Sequence, residues 1–267
     1  MLIVTPKNTV DDESTISVDG FHFRLPELRL DQDEEWFEVR YGGEWHSYRL
    51  HDYAALFEVP GLYEALVYGV LGCRSPQHLA RLFQLVLDDR SVRMDSLRIL
   101  DVGAGNGIMG ECLKKAGAKR IVGVDILDKA AEAAARDRPD VYEQYHVLDL
   151  AELGGDGGSA LEEQRFDCLT TVAALGFGDI PPEAFANALD LVKVPGWIAM
   201  TIKEDFLESD EGGFSGFLRE LVRGGVLQPE ARSRIIHRKS IDGRELFYVA
   251  LVASKIAELD VSKERHA

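Results

Sequence analysis

Between Leu97 and Gly110 the chain reads LRILDVGAGNGIMG, a run of apolar residues that breaks into glycine at three alternate positions. Arg98–Val102 has the length and branched character of a buried strand. Gly103, Gly105 and Gly107 supply the positive φ angles and close backbone approach that side chains resist. A helix opens at Gly107. A strand that turns on glycine straight into a helix brings unpaired amides and the positive end of the helix dipole to one point, where an acceptor atom of a ligand can be received.

The same rhythm continues downstream. The first helix, Gly107–Ala116, ends at Gly117; a second strand, Arg120–Asp125, ends in an acid; an alanine-rich helix runs from Asp128 to about Arg138 and stops at Pro139. Glu143–Leu148 is a third strand, closed by Asp149. The glycine-rich Gly154–Gly158 reads as a flexible surface connection before a short helix at Ala160–Gln164. Phe166–Val172 and Gly196–Ile202 are the fourth and fifth strands, separated by a helix that Pro181-Pro182 starts. Strands alternating with helices at this spacing predict right-handed crossovers and a mostly parallel sheet covered on both faces. The ending changes character: after a helix at Phe214–Val222, Arg234–Ile241 and Glu245–Ala253 flank Asp242-Gly243, the signature of an antiparallel hairpin.

Ahead of the glycine turn lie about 90 residues too patterned to be a linker. Asp19-Gly20 and Gly42-Gly43 are hairpin signals, and Phe37, Val39 and Tyr41 alternate with polar neighbours, which predicts a small antiparallel sheet. The acidic run Asp31–Glu35 reads as its solvated connection, without chemistry of its own. Asp52 caps a helix at Tyr53, Pro60-Gly61 interrupts it, and helix resumes over Leu62–Leu71. Ser75-Pro76 starts another, whose stripe Leu79, Leu82, Phe83, Val86 and Leu87 packs the segment onto the core. The expected organisation is an N-terminal segment over residues 1–90, a core over 91–255 and a tail over 256–267.

Charge and cysteine usage exclude several roles. A formal net charge of −16 argues against phosphate backbones and anionic membrane surfaces, both of which call for clustered Lys and Arg. No segment approaches the roughly 18 apolar residues of a membrane span. Cys73, Cys112 and Cys168 are odd in number and widely spaced, which suggests neither a disulfide framework nor a metal site. With no basic, apolar leader at its start, the chain reads as cytoplasmic.

Two patterns fit the glycines. Gly105-Asn-Gly-Ile-Met-Gly110 has dinucleotide-binding spacing, with Asp125 about 20 residues on, which keeps an NAD(P)-dependent oxidoreductase in view. Starting from Asp101 the pattern is D-x-G-x-G-x-G, and here the chain strongly resembles the class I S-adenosylmethionine-dependent methyltransferases. An acid at Asp101 would repel a pyrophosphate but suits a ligand carrying an ammonium and a sulfonium. The closing antiparallel hairpin also resembles the methyltransferase sheet. The resemblance covers about Leu97 to Lys255, and it extends loosely to bacterial small-molecule enzymes similar to the Williams–Beuren-region methyltransferase-like proteins. It implies a Rossmann-like, mostly parallel seven-stranded α/β fold with a C-terminal antiparallel hairpin, to which the N-terminal α+β segment adds a lid.

The resemblance also implies roles. Asp101 with Gly103, Ala104, Gly105 and Gly107 would border the methionine portion of S-adenosylmethionine. Asp125 would take both ribose hydroxyl protons, Asp149 would meet the adenine amino group, and Ile126 and Leu150 would flank the ring. Methyl transfer from a sulfonium needs alignment and exclusion of water, with no metal. Where an acceptor must lose a proton, His51, Tyr53, Tyr63 and Tyr68 are the candidates, with Lys203 and Glu204 behind them. The fourth strand runs into Val172–Asp179 and lacks the D/N-P-P-Y run of enzymes that methylate nucleobase amino groups. A small-molecule acceptor is therefore expected, with no nucleic acid and no membrane as partner. A catalytically silent S-adenosylmethionine-binding protein stands as the further alternative, since a fold does not by itself imply an activity.

Overall fold

The computed structural model describes residues 15–153, 155–175, 180–204 and 213–259. The N-terminal sheet is an antiparallel meander of β1 (Ile16–Val18), β2 (Phe21–Arg24), β3 (Trp36–Tyr41) and β4 (Glu44–Arg49), paired in that order. Its turns fall at Asp19-Gly20 and Gly42-Gly43, where the sequence predicts them. One face carries Phe23, Phe37 and Val39, all fully buried against Leu56, Leu62 and Leu66. These leucines come from α1 (Tyr53–Glu58) and from α2 (Leu62–Glu64), which widens into a π turn over Ala65–Val70. Asp52 caps α1 as expected, its Oδ1 accepting from the Ala55 amide at 3.4 Å.

The large sheet has seven strands: β5 (Arg98–Val102), β6 (Arg120–Asp125), β7 (Gln144–Val147), β8 (Phe166–Leu175), β9 (Val192–Lys203), β10 (Leu227–Lys239) and β11 (Glu245–Lys255). Their spatial order is β10-β11-β9-β8-β5-β6-β7. The five from β5 to β9 run parallel, while β10 and β11 are antiparallel. Strand order reverses beside β5, which pairs with β6 on one edge and β8 on the other. Successive side chains of β5 enter different layers. Ile99 packs with Leu79, Phe83 and Leu113 of α3 (Ser75–Asp89) and α4 (Ile108–Lys115). Leu100 and Val102 pack with Leu161, Phe185 and Leu218 of α6 (Gly155–Glu162), α7 (Pro182–Asp190) and α8 (Gly213–Arg223). Helix α5 (Asp128–Asp137) buries Ala130 and Ala133 against Phe57 of α1, so its alanines are small because an aromatic ring of the N-terminal segment lies on them.

Three expectations are corrected. The run Gly154–Gly158 is not a loose connection: α6 starts at Gly155, anchored by the fully buried Leu161, and packing overrides the poor helix propensity of glycine. Gly154 lies outside the described residues. β10 begins at Leu227 rather than Arg234, because an edge strand needs one buried face only and accepts the charged PEARSR run and a bulge at Pro229. The acidic run is not wholly solvated either. Glu35 is 2% exposed and bonds Arg238 of β10, itself buried, at 2.5 Å, while its Oε1 accepts from the Ile241 amide. β8 extends to Leu175, and the rest of the expected Val172–Asp179 run, residues 176–179, lies outside the described residues, as do residues 1–14 and 260–267 of the expected terminal segments. No helix among the described residues is long and apolar enough to cross a membrane.

Candidate functional site

The carboxyl ends of β5, β6 and β8 open into a cavity of about 620 Å³ at the point where strand order reverses. In open α/β sheets this is where ligands bind. Its floor is the glycine turn. Gly103, Gly105 and Gly107 have φ of 66°, 54° and 89°, and a Cβ on Gly103 would stand 3.1 Å from that of Ala174, so the turn admits no side chain without strain. Asp125, at the end of β6, holds the turn directly: its Oδ2 accepts from the Gly105 amide at 2.9 Å and its Oδ1 from the Leu127 amide at 3.0 Å. Tyr145 donates to the Gly105 carbonyl at 2.7 Å.

Asp101 is 1% exposed, and both its oxygens are engaged, one by Thr170 at 2.7 Å and the other by Tyr142 at 2.8 Å. Burial pushes its carboxyl up to about 6, against the pull of those two hydrogen bonds, and Asp125 raises it further. Burial raises Asp125 as well, opposed by the amides it accepts from. The floor is thus a pair of acids whose ionised forms are costly until a positive charge arrives. Asp149 also lines the cavity, and its Oδ1 caps the short turn Leu150–Glu152 through the Ala151 amide at 2.8 Å. Leu150 is buried, whereas Ile126 stands 59% exposed at the rim.

Gly107 is the exception among the expected floor residues. It does not line the cavity but turns beneath it, with Tyr142 and Arg138 so close that a Cβ would meet them at 3.1 and 3.3 Å. The third glycine of the dinucleotide-like spacing, Gly110, has a similar neighbour: an added Cβ would lie 2.6 Å from Val141 Cγ1 and 2.7 Å from the Tyr142 hydroxyl. Gly110→Ala is therefore expected to destabilise the chain by about 1–3 kcal/mol through overpacking, and to dislodge Tyr142 from Asp101. Urea denaturation checks the first effect. An unchanged midpoint would mean that the turn relaxes freely.

The N-terminal segment forms the opposite wall. His51, Tyr53, Tyr63 and Tyr68 all line the same cavity as Asp101, Ala104 and Asp125. Tyr53, Phe57 and Tyr63 pack ring against ring, with centroids 4.9 to 6.5 Å apart, and Tyr63 meets Tyr68 edge-on at 6.1 Å. Tyr63 and Tyr68 keep some surface open to the cavity, yet their enclosure pushes both phenols above the usual tyrosine range. They stay protonated, so neither is a phenolate base at neutral pH. Burial, with Arg238 adding to it, lowers His51 to about 4. Lys203 and Glu204 do not line the cavity; Glu204 bonds Arg234 of β10 at 2.6 Å.

Several site residues have no signature in the glycine motif. Glu64 of α2 accepts from the Asn106 side chain at 2.9 Å and from Arg138 at 2.7 and 3.0 Å, which clasps the N-terminal segment to the glycine turn. Gln32, Cys73, His237, Arg238 and Tyr248 also line the cavity, contributed by a 3₁₀ turn, the α3 approach and the hairpin β10–β11. At the end of β8, Ala173 is held at φ 59°, its amide donating to Thr201 at 2.8 Å, so a strained non-glycine residue shapes the wall.

Comparison with known proteins agrees with this geometry. Residues 74–239 match the family model described as a methyltransferase domain. Among curated proteins the chain is similar to the ubiquinone biosynthesis O-methyltransferase of Thiobacillus denitrificans, at 28% identity over 123 residues, 46% of this chain and 51% of that one. It is similar to the enzyme of the same name from Aromatoleum aromaticum, at 28% over 132 residues, 49% of this chain and 55% of that one. It spans about half the length of these curated relatives. Among solved structures it shares its fold with the N-methyltransferase NodS of Bradyrhizobium japonicum in complex with S-adenosylhomocysteine, at a TM-score of 0.53 and 13% identity over 77% of this chain and 97% of that one. With the family model covering more than half its length, and the strand order and acid-bordered glycine turn in place, the chain belongs to the class I S-adenosylmethionine-dependent methyltransferase family.

Proposed function

We propose that this chain transfers the methyl group of S-adenosylmethionine to the oxygen of a small acceptor. One observation carries the reading: a single cavity has the acid-bordered glycine turn as its floor and the aromatic N-terminal segment as its opposite wall. The charges of the lining fit this cofactor and not a dinucleotide. Asp101, Asp125 and Asp149 line it, while the sole Lys or Arg among its described lining residues is Arg238, which is paired with Glu35. A pyrophosphate would meet acids and no available cation, whereas a ligand with a sulfonium and an ammonium meets the opposite charge. That difference favours the methyltransferase over the oxidoreductase reading.

When bound, the cofactor supplies a methyl group already activated by its positive sulfur. Asp125 is the residue to receive the ribose hydroxyls, beside the field of Asp101, with Ala104 and Gly105 against the methionine portion and Asp149, Ile126 and Leu150 around the adenine. Tyr53, Phe57 and Tyr63 exclude water and offer aromatic faces toward positive charge, an interaction of about 0.5–2 kcal/mol. His51, lowered to about 4 by burial and by Arg238, is uncharged throughout the neutral range and lines the cavity, which places a neutral imidazole beside an acceptor hydroxyl. So weakly basic an imidazole orients the hydroxyl and does not hold its proton: as the oxygen–methyl bond forms and the sulfur–methyl bond breaks, the hydroxyl proton passes on to solvent water. An oxygen acceptor is favoured by the names of the curated relatives and by the lining of hydroxyl and imidazole groups. The net charge of −16 supports a small molecule over nucleic acid, and three free cysteines support a cytoplasmic setting.

Hydrogen exchange tests whether both walls belong to one site. On addition of S-adenosylhomocysteine, protection is expected to rise in residues 101–110 and also in residues 52–71. A response confined to the glycine turn would make the N-terminal segment a structural appendage. Release of S-adenosylhomocysteine from S-adenosylmethionine in the presence of hydroxylated acceptors separates an enzyme from a silent binder.

A further inference from the structure

We infer that Gln32, His51, His237 and Tyr248 form a subsite for an uncharged, planar acceptor that donates a hydrogen bond from a hydroxyl group. The inference rests on the methyl-transfer reading and adds to it the class of molecule received. These residues come from three separate parts of the chain and line the same cavity as the glycine turn. Gln32 donates through Nε2 to the Tyr248 hydroxyl at 3.3 Å, while its Oε1 is buried and accepts no hydrogen bond. A buried carbonyl oxygen without a donor is uncommon, and its residue lines the cavity, where a ligand hydroxyl that reaches this oxygen would satisfy it. The Tyr248 ring lies on the His237 ring at 4.1 Å and 30°, and His237 Nδ1 is fixed by Ser75 Oγ at 2.8 Å, so the wall is ordered before any ligand arrives.

Charge defines what this wall accepts. His237 is 5% exposed; burial, reinforced by Arg238 and His51, lowers it to about 3. His51 is lowered in the same way, so both imidazoles are neutral at physiological pH. Burial is the main reason, the Arg238 charge adds to it, and that charge is itself met by Glu35 at 2.5 Å behind the wall. What remains toward the ligand is a set of neutral donors and acceptors among the rings of Tyr63, Tyr68 and Tyr248. A carboxylate or ammonium on the acceptor would lose its water there, with Arg238 already paired to Glu35, and with Asp52, the acid next to His51, exposed and capping α1. Flat aromatic walls favour a flat ligand.

The test uses the full chain saturated with S-adenosylhomocysteine and three probes of one shape: 2-naphthol, 2-naphthoate and 2-naphthylmethylammonium. Calorimetry at pH 7 is expected to give 2-naphthol at least about tenfold tighter than either charged probe. Gln32→Met removes the buried acceptor at similar volume and should weaken 2-naphthol about tenfold while leaving the S-adenosylhomocysteine Kd unchanged. Equal or tighter binding of a charged probe, no saturable binding of 2-naphthol, or an unaltered naphthol Kd in Gln32→Met would each overturn the subsite. The charge series needs no variant, so it decides even if Gln32→Met folds poorly. Failure of the chain to bind S-adenosylhomocysteine would overturn the methyl-transfer reading itself, which distinguishes the two failures.

Discussion

Asp125→Ala is expected to weaken binding of S-adenosylmethionine and S-adenosylhomocysteine by one to two orders of magnitude. Two losses combine in that figure. The variant lacks the carboxylate assigned to the ribose hydroxyls, and a hydrogen bond to a charged acceptor contributes about 1.5–3 kcal/mol, or roughly ten- to a hundredfold in affinity. It also frees the amides of Gly105 and Leu127, which Asp125 holds at 2.9 and 3.0 Å, so the glycine turn loses the acceptor that fixes its shape before a ligand binds. Isothermal calorimetry with both nucleosides measures the effect, and circular dichroism shows whether the sheet persists. Affinity within twofold of the parent would remove Asp125 from the site. Asp125→Asn divides the two contributions, because its amide can still accept from one backbone N–H but no longer carries charge.

That site was legible in the sequence where local pattern and geometry coincide. Asp101, Gly103, Gly105 and Asp125 lie at strand ends, and period and glycine spacing give strand ends away. The parallel sheet followed for the same reason, since β5, β6 and β8 are apolar runs bounded by turn residues. The N-terminal aromatic residues were legible as a cluster, because His51, Tyr53, Tyr63 and Tyr68 are near one another in the chain, although their proton affinities were not. A reference histidine near neutrality becomes, inside this wall, a group lowered to about 4, first by burial and then by the charge of Arg238, far along the sequence.

What the sequence concealed is long-range. Tyr142 and Thr170 satisfy Asp101 from 41 and 69 residues away, and Gln32 meets Tyr248 across 216. No periodicity links such pairs; only the sheet order brings them together. Glycine misled once, in the run Gly154–Gly158, where α6 forms from Gly155 despite low helix propensity and buries Leu161 in the core. The charged stretch of β10 misled in the opposite sense, since an edge strand exposes one face and its arginines interrupt the alternation that betrays inner strands.

The acidic run shows how far such concealment reaches, and it yields the largest expected loss of stability. Glu35 stands in a segment with four polar neighbours, Asp31, Gln32, Asp33 and Glu34, and nothing in that run distinguishes it. In the fold it is 2% exposed, bonded to the equally buried Arg238 and to the Ile241 amide. Glu35→Ala leaves a guanidinium buried without its counter-charge and an amide without its acceptor, and breaking a buried pair in this way costs about 3–5 kcal/mol. The midpoint of urea denaturation should fall accordingly. The pair itself is worth much less than that, because both ions lose their hydration to form it. Glu35→Leu combined with Arg238→Met should therefore recover most of the loss, and if it does, the pair is retained for something other than stability. Arg238 also acts on the cavity: burial lowers both His51 and His237, the Arg238 charge lowers them further, and Glu35 pairs with that charge. The stable double variant should thus show both histidines titrating at higher pH by NMR, in a chain as firmly folded as the parent. A loss below about 1 kcal/mol in Glu35→Ala would mean that Arg238 reaches water in solution, and the docking of the N-terminal segment onto β10 would have to be redrawn.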